Sequence, residues 1–332
     1  MNKGNIAELG IHDDELPYEV IPGTEDLQFK EKFIERYSKL TDFPTFKKWS
    51  LSFLRRSIRV NTLKISVEEL KKRLEPAWTL TPVPWCKEGF WIEHKKGERR
   101  DVGNLIEHAL GYFYLQEAAS MIPPVVLDPK PGETILDIAA APGSKTTQIA
   151  QYMENEGILI ANDYTADRMK PLGINLQRCG VSHALITKMY GQGFRKAGIE
   201  FDRILVDAPC SGTGTIRKSL KTVVIWNPGM IKRLGTTQKQ LIEAAFGILK
   251  VGGTLVYSTC SLEPEEDEEV VDHLLKTHTN ARVEEIELNI KKSTAITEFE
   301  GKAYSNEVKK CLRIWPQDND TEGFFVAKIR KV

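Results

Sequence analysis

The sequence predicts an α/β protein: a mostly parallel sheet of seven strands with helices on both faces, ending in a C-terminal antiparallel hairpin and preceded by a small α+β unit. Three observations predict it. From about residue 125, short apolar, β-branched runs recur, each bounded by turn signals: TILDIA, GILIAND, ALITK, RILVDAP and GTLVYST. Helical stretches separate most of them, namely SKTTQIAQYM, TADRMKPLGINLQRCG and TTQKQLIEAAFGILK. Alternation of strand and helix means a parallel sheet covered on both sides. The end, CLRIWPQDNDTEGFFVAKIRK, reads as two strands joined by a polar turn.

Upstream the pattern differs. Residues 26–56 read as two helices, with Leu27, Phe29, Phe33, Ile34, Tyr37 and Leu40 at helical spacing. SIRVNTLKIS (57–66) reads as a strand, and VEELKKRLEP (67–76) as a short helix closed by Pro76. Residues 78–95 carry Trp78, Trp85, Phe90 and Trp91 and read as strand and loop. The expected division is a helical and small α+β unit over 1–115 and a larger unit over 116–332.

The chain has 332 residues, with 46 Lys and Arg against 46 Asp and Glu, so its net charge gives no sign of a polyanionic partner. No apolar run reaches the roughly 18 residues of a membrane span. The first residues, MNKGNIAELG, hold no signal-peptide core. Five cysteines, with no Cys-x-x-Cys pair, argue against a disulfide framework and against a structural zinc site. A reducing, cytoplasmic compartment is expected, with any special cysteine present as a thiol. Local charge is uneven. Residues 1–26 hold seven acids and one lysine, whereas residues 30–73 hold thirteen Lys and Arg against five acids. Such a basic run is either a footprint for phosphates or a solvated helical face. EPEEDEE (263–269) is strongly acidic.

Ligands of parallel sheets sit at the C-terminal strand ends. After the first run come Ala139, Ala140, Ala141, Pro142, Gly143, Ser144 and Lys145. Small residues and a Pro-Gly turn let the backbone approach a ligand at the start of a helix. The order Gly-Ser-Lys-Thr breaks the phosphate-loop spacing, and G-x-G-x-x-G is absent. A nucleoside cofactor without a pyrophosphate remains, and S-adenosylmethionine is the common one. Any strand–helix turn can be rich in small residues, so Asp163 matters. It closes the second run, where an acid can accept hydrogen bonds from both ribose hydroxyls. The plain alternative is a helix N-cap, worth about 1 kcal/mol.

VDAPCSGTG (206–214) and YSTCSLEPEED (257–267) each place a cysteine just past a buried strand. A lone cysteine there is usually a small core residue. Two at equivalent strand ends are harder to dismiss. Cytosine C5 is too weak a nucleophile to take a methyl group directly. A thiolate adding to C6 makes C5 enamine-like; after transfer a base removes the C5 proton and the thiol is expelled. A free thiol is only slightly ionised at neutral pH, so such a site should lower its pKa. The pattern alone does not order Cys210 and Cys260, since DNA cytosine methyltransferases attack with a Pro-Cys thiol, which Pro209-Cys210 also fits.

DIAAAPGSKT, ANDYTADRMKPLGINLQRCG, FDRILVDAPCSGTG and LVYSTCSLEPEEDEEVV resemble successive motifs of the Nop/Sun family of RNA 5-methylcytosine methyltransferases. RSIRVNTLK and GYFYLQEAASM resemble it too, so the likeness spans about residues 55–330. The short form is similar to the archaeal tRNA-type members. The resemblance implies a Rossmann-like fold that uses S-adenosylmethionine, with the Ala139–Lys145 loop around the cofactor. It makes Cys260 the nucleophile and Cys210 a helper in proton removal or product release. It sets Asp207 and Lys145 between cofactor and target base, the carboxylate on the cytosine amino/N3 edge and the lysine on developing negative charge. Asp163 and Arg168 match cofactor-site positions. Three departures stand out: Ala139 where the family usually has Cys, Ser144 where it has Gly, and Tyr190 where an Asp contacts the adenosine. A tyrosine there would stack on adenine, offer a hydroxyl, or lower cofactor affinity.

The expected partner is RNA, turned out of its helix for the chemistry and held by cations and aromatics of residues 30–100. Transfer RNA is preferred to ribosomal RNA because the chain lacks long extensions. Neither DNA nor a membrane is expected, and the chain is read as a monomer. The alternatives are an rRNA methyltransferase, or a non-catalytic RNA-binding or ribosome-assembly factor on the same fold. The intact Cys260, Cys210, Asp207 and Lys145 weigh against the last. A DNA enzyme would need a large recognition domain for which there is no room. A small-molecule methyltransferase leaves the paired thiols unexplained.

Overall fold

Strands covered on both faces bury side chains of either parity, and the middle of this chain follows that rule. The computed structural model describes residues 20–24, 27–97 and 101–332. Most of the acidic N-terminal stretch lies outside them. The central strands are β5 (Thr134–Asp137), β6 (Ile158–Asp163), β7 (Ala184–Lys188), β8 (Phe201–Asp207), β9 (Leu249–Thr259), β10 (Ala281–Glu284), β13 (Leu312–Ile314) and β14 (Phe324–Lys331). Their order is β10-β14-β9-β8-β5-β6-β7, with β13 pairing β14. The β5–β9 neighbours pair in parallel, and β14 runs antiparallel to both β9 and β10. In β8, Ile204 and Val206 join one core and Leu205 the other.

Helices α9 (Pro228–Gly247) and α10 (Glu268–Thr277) cover one face through Leu241, Ile242, Phe246, Val270 and Leu274. Helices α5 (Ile122–Leu127) and α6 (Ser144–Tyr152) cover the other through Ile122, Leu127, Ile149 and Ala150. Helix α7 (Ala166–Cys179) packs Leu172 and Leu176 on Ala140, Ala141 and Ala161.

The α/β class and mostly parallel sheet are as expected, with two refinements. The C-terminal hairpin is not added at an edge: β14 is inserted between β9 and β10, and α11 (Pro316–Asn319) occupies the turn before it. Strand β10 carries too short an apolar pattern to stand out, since only Ala281 and Val283 of ARVE are buried.

The upstream sheet has order β2-β3-β1-β4, from β1 (Ser57–Val60), β2 (Trp78–Val83), β3 (Cys86–His94) and β4 (Phe113–Leu115). Helix α3 (Val67–Leu74) closes its core of Ile58, Leu70, Trp78, Phe90 and Phe113. Ser66 and Glu69 form a reciprocal cap at its start. The strand expected over 57–66 stops at Val60, because the Asn61 amide turns to the carbonyls of Gly111 and Cys179, each at 2.8 Å. Trp85 and Trp91 pack across to Met121 and Ile149 of the larger sheet's layer. All four aromatics expected between 78 and 95 are buried, so none of them offers a stacking face for RNA.

Helices α1 (Glu31–Tyr37) and α2 (Phe43–Ser50) dock elsewhere. Phe29, Phe33, Tyr37 and Phe46 pack on Ile216, Trp226, Leu262 and Trp315 of the larger unit. Part of the basic run is therefore structural. Lys30 donates to the carbonyls of Val224 and Trp226, and Arg36 pairs with Glu263 and Glu265. The short elements α4 (Ile106–Ala109), α8 (Lys221–Ile225) and the ribbon β11 (Glu298–Phe299) with β12 (Lys302–Ala303) complete the chain.

Candidate active site

The loop from Ala139 to Ser144 joins β5 to α6. Its last turn needs a positive φ, and Gly143 supplies it at +106°. A Cβ there would also crowd Leu172 at 3.1 Å. Asn162, next to last in β6, ties three strand ends together. Its amide donates to the carbonyls of Ile138 and Met189, and its oxygen accepts from Thr187 Oγ1 and the Met189 N–H, all at 3.0–3.1 Å. Sequence reasoning missed this residue; the signal was a buried amide beside Asp163.

Asp163 is buried at the end of β6. Its Oδ1 accepts the Thr165 N–H at 3.0 Å, which shapes the entry to α7, whose N-cap is Thr165 itself. Its Oδ2 lies 3.3 Å from Arg168 Nη1 but accepts no hydrogen bond among the described residues. Arg168 also donates to the Ala141 carbonyl at 2.5 Å, so it braces the loop against Asp163. A carboxylate oxygen that accepts no hydrogen bond from the described residues, beside a small-residue loop, fits the ribose of a nucleoside cofactor. Tyr164 and Tyr190 stand at the ends of β6 and β7 with rings stacked, 5.8 Å between centroids. They are 50% and 74% exposed, so both faces of the stack are not spent on the core. Beneath the loop, Asp137 accepts from Thr146 Oγ1 at 2.7 Å. Burial pushes its carboxyl up to about 7; the Thr146 hydroxyl opposes this and the Asp207 charge adds to it. Asp137 is a second group the sequence did not single out.

The thiols sit one strand further along. In the parallel β8–β9 pair Asp207 is level with Ser258, so Cys210 and Cys260 leave the sheet side by side. Their sulfurs are 3.2 Å apart, both half-buried and both free. The other three cysteines are buried. Cross-links hold the two turns together: Ala208 N–H to Ser258 O and Gly214 N–H to Cys260 O, each 2.9 Å, and Ser211 Oγ against Ser261 Oγ at 3.1 Å. Gly214 has no room for a side chain, since a Cβ would lie 2.1 Å from the Gly323 carbonyl and 2.8 Å from that of Cys260.

Lys145 and Asp207 meet beside the thiols. Lys145 Nζ donates to Asp207 Oδ2 at 2.7 Å, and Asp207 Oδ1 accepts from Ser258 Oγ at 2.8 Å. Burial works against the Lys145 charge, but Asp207 outweighs it and a Cys260 thiolate adds to it, so the ammonium is held above its ordinary value. The Cys210 thiol is pushed well up: first by its hydrogen bond to Cys260, then by burial, then by the charges of Cys260 and Glu266. The surroundings of Cys210 thus favour its protonated form. The structure thus brings Cys260, Cys210, Asp207 and Lys145 into one cluster, with the Ala139–Ser144 loop, Asp163 and Arg168 alongside.

Comparison with known proteins follows the same line. Residues 124–330 match the family model described as 16S rRNA methyltransferase RsmB/F, and residues 29–118 match the N-terminal domain of 16S rRNA methyltransferase RsmF. A tRNA (cytosine(49)-C(5))-methyltransferase of Pyrococcus abyssi is 53% identical over 92% of this chain and 97% of its own. Ribosomal RNA small subunit methyltransferase F of Shewanella oneidensis is 46% identical over 84% of this chain, which spans 57% of that protein. Among solved structures, a methyltransferase homologue from Pyrococcus horikoshii superposes with a TM-score of 0.83 at 38% identity, covering 93% of this chain and 97% of the other. NSun6 from Pyrococcus horikoshii, solved with SFG, an analogue of S-adenosylmethionine, gives 0.80 at 27% identity, covering 92% and 98%. The chain belongs to the RsmB/F family, the Nop/Sun group its motifs resemble, and is an S-adenosylmethionine-dependent methyltransferase.

Proposed function

We propose, from that membership and the geometry of the thiols, that the enzyme methylates C5 of a cytosine in RNA, with tRNA as substrate and Cys260 bonded to C6 during transfer. The observation that carries this is the contact of two free thiols at adjacent strand ends beside the Lys145–Asp207 pair. The hydrogen bond to Cys260 and burial favour a protonated Cys210, and Cys260 has an ammonium for neighbour, so Cys260 is the one to attack. Its sulfur forms a bond to C6 and the C5=C6 electron pair shifts toward C5. Bound S-adenosylmethionine supplies an electrophilic methyl group. Asp207 faces the cytosine amino/N3 edge, and Lys145 offsets charge that develops on the ring. Loss of the C5 proton restores the double bond and expels the Cys260 sulfur, with Cys210 assisting that exit. The loop Ala139–Ser144, Asp163 and Arg168 form the cofactor side.

Residues 1–115 are read as the unit that holds RNA, and 116–332 as the catalytic unit. A groove between α3 and the segments just after β1 and just before β4 supports this, lined by Lys64, Lys72, Arg73, Tyr112, Ile65 and Glu69, with the Arg73 guanidinium 5.4 Å from the Tyr112 ring centre. Cations beside an aromatic face suit phosphate and base contacts. Among the described helices none is long and apolar enough to cross a membrane, and the reading is of a cytoplasmic monomer. Ribosomal RNA is the second reading, supported by the RsmF relatives. Incubation with labelled cofactor and either in vitro transcribed tRNA or small-subunit rRNA separates them. The account expects 5-methylcytosine in tRNA. Label in rRNA alone would move the substrate to rRNA, and label in neither would overturn both substrate readings.

A further inference from the structure

The run EPEEDEE reads as an acidic surface, yet most of it is buried and each buried acid has a defined partner. Glu263 accepts from Arg36 at 2.7 Å, Tyr37 at 2.9 Å and Trp226 at 2.8 Å. Asp267 and Glu268 both pair with the fully buried Arg313. Glu269 pairs with Lys239 at 2.7 Å. Glu266 is different. It is fully buried and makes no ion pair among the described residues. A buried carboxyl without a cation is costly to keep, so its neighbours matter.

Those neighbours are the peptides on either side of Cys210. Glu266 Oε2 accepts the Ser211 N–H at 2.8 Å and Gln238 Nε2 at 3.0 Å. Gln238 Nε2, on α9, also donates to the Pro209 carbonyl at 2.9 Å. One carboxylate oxygen and one amide therefore grip the chain directly before and directly after the cysteine. The turn at Cys260 is held differently, by Thr259 Oγ1 on the Ser261 N–H, by Thr213 Oγ1 on the Leu262 N–H and by the Gly214 N–H on the Cys260 carbonyl.

We infer that Glu266 and Gln238 are positioning residues for Cys210: they fix the Pro209–Ser211 turn so that the Cys210 sulfhydryl stays against the Cys260 sulfur and assists its departure from the methylated base. This rests on Cys260 being the attacking thiol. The C6–S bond breaks with its electron pair going to the Cys260 sulfur. The C5–H electron pair restores the C5=C6 double bond, and the C5 proton passes to solvent or a site base. The Cys210 S–H hydrogen-bonds to the leaving sulfur and steadies its charge. The hydrogen bond to Cys260 and burial hold the Cys210 proton, and charge on Glu266 adds to them.

The test follows both 5-methylcytosine formation and the protein–RNA adduct that survives denaturing electrophoresis, using in vitro transcribed tRNA with ordinary cytidine. Cys210→Ala should turn over slowly and accumulate adduct. Glu266→Ala should do the same, with turnover down about tenfold or more from the lost hydrogen bonds to a charged group. Gln238→Ala should show a smaller version. Glu266→Gln, which keeps an acceptor for Ser211 N–H, should restore most turnover and abolish the accumulation. A folded Glu266→Ala protein, with wild-type cofactor affinity, that turns over normally or slows without adduct overturns the inference. If that variant does not fold, Gln238→Ala decides on the same two readouts. Adduct absent from Cys210→Ala as well overturns the reading of the thiols, and the inference with it.

Discussion

The ends of β8 and β9 each carry one cysteine, and the two sit in surroundings of opposite sign. At the β9 end, Cys260 faces the Lys145 ammonium, which Asp207 holds in place at 2.7 Å. At the β8 end, Cys210 faces the buried carboxyl of Glu266 and sits in a turn gripped from both sides. On the proposed mechanism, identical side chains 3.2 Å apart do different work: the Lys145 ammonium lies beside Cys260, while the hydrogen bond to Cys260, burial and then the Glu266 carboxyl hold the proton on Cys210. In that reading the pair divides its labour according to what surrounds each sulfur.

Several substitutions sharpen or break that contrast. Cys260→Ala should abolish methylation, a loss of about a thousandfold or more if the thiol acts covalently. Measured by label transfer to tRNA, a residual rate near wild type would erase the difference between the two ends. Lys145→Met removes the cation from the β9 end. It should cost on the order of a hundredfold in kcat, and slow alkylation of Cys260 by iodoacetamide while leaving Cys210 less affected.

Glu266→Gln removes the anion from the β8 end. Cys210 should then ionise more readily and alkylate severalfold faster at pH 8, read by mass spectrometry of the two cysteine peptides. The same variant carries a stability signature. Burial pushes the Glu266 carboxyl up to about 7 from a reference of 4.5. Between those values the folded state holds the extra proton, so the contribution is complete below about pH 4.5 and is lost as pH rises through about 7. Relative to the wild type, Glu266→Gln should gain stability between pH 5 and pH 8, on the order of 2 kcal/mol, seen as a smaller fall in denaturant midpoint. The smallest effect is expected away from the thiols. Tyr190→Ala breaks the Tyr164 stack and should weaken cofactor binding severalfold, about 1 kcal/mol for an aromatic contact, by calorimetry in the absence of RNA.

The contrast also shows what a sequence can and cannot carry. Cys210, Cys260, Lys145 and Asp207 are readable as a group, because their residue types are tied to the chemistry and each follows an apolar run. Asp163 is readable for the same reason. Glu266 is not, because it lies in a run of acids that looks like a solvated face. Only the tertiary fold brings Arg36 and Arg313 to neutralise its neighbours and leaves Glu266 against Ser211. Gln238 and Asn162 are missed likewise: an amide's value lies in which carbonyls it meets, and those are set by α9 and by three strand ends. The aromatics at 78–91 mislead in the other direction: their count suggests stacking platforms, while the small unit's own core takes Trp78 and Phe90 and the layer between the two sheets takes Trp85 and Trp91. Strand β10 escapes notice because four residues with two buried side chains leave too little pattern.

The most direct test of the division of labour uses tRNA transcribed with 5-fluorocytidine, whose C5 fluorine cannot leave as a proton. After methyl transfer the ring is trapped on whichever sulfur attacked. The account predicts a covalent adduct in the wild type and in Cys210→Ala, mapped to the Cys260 peptide and absent in Cys260→Ala. An adduct that survives Cys260→Ala and disappears in Cys210→Ala would contradict it.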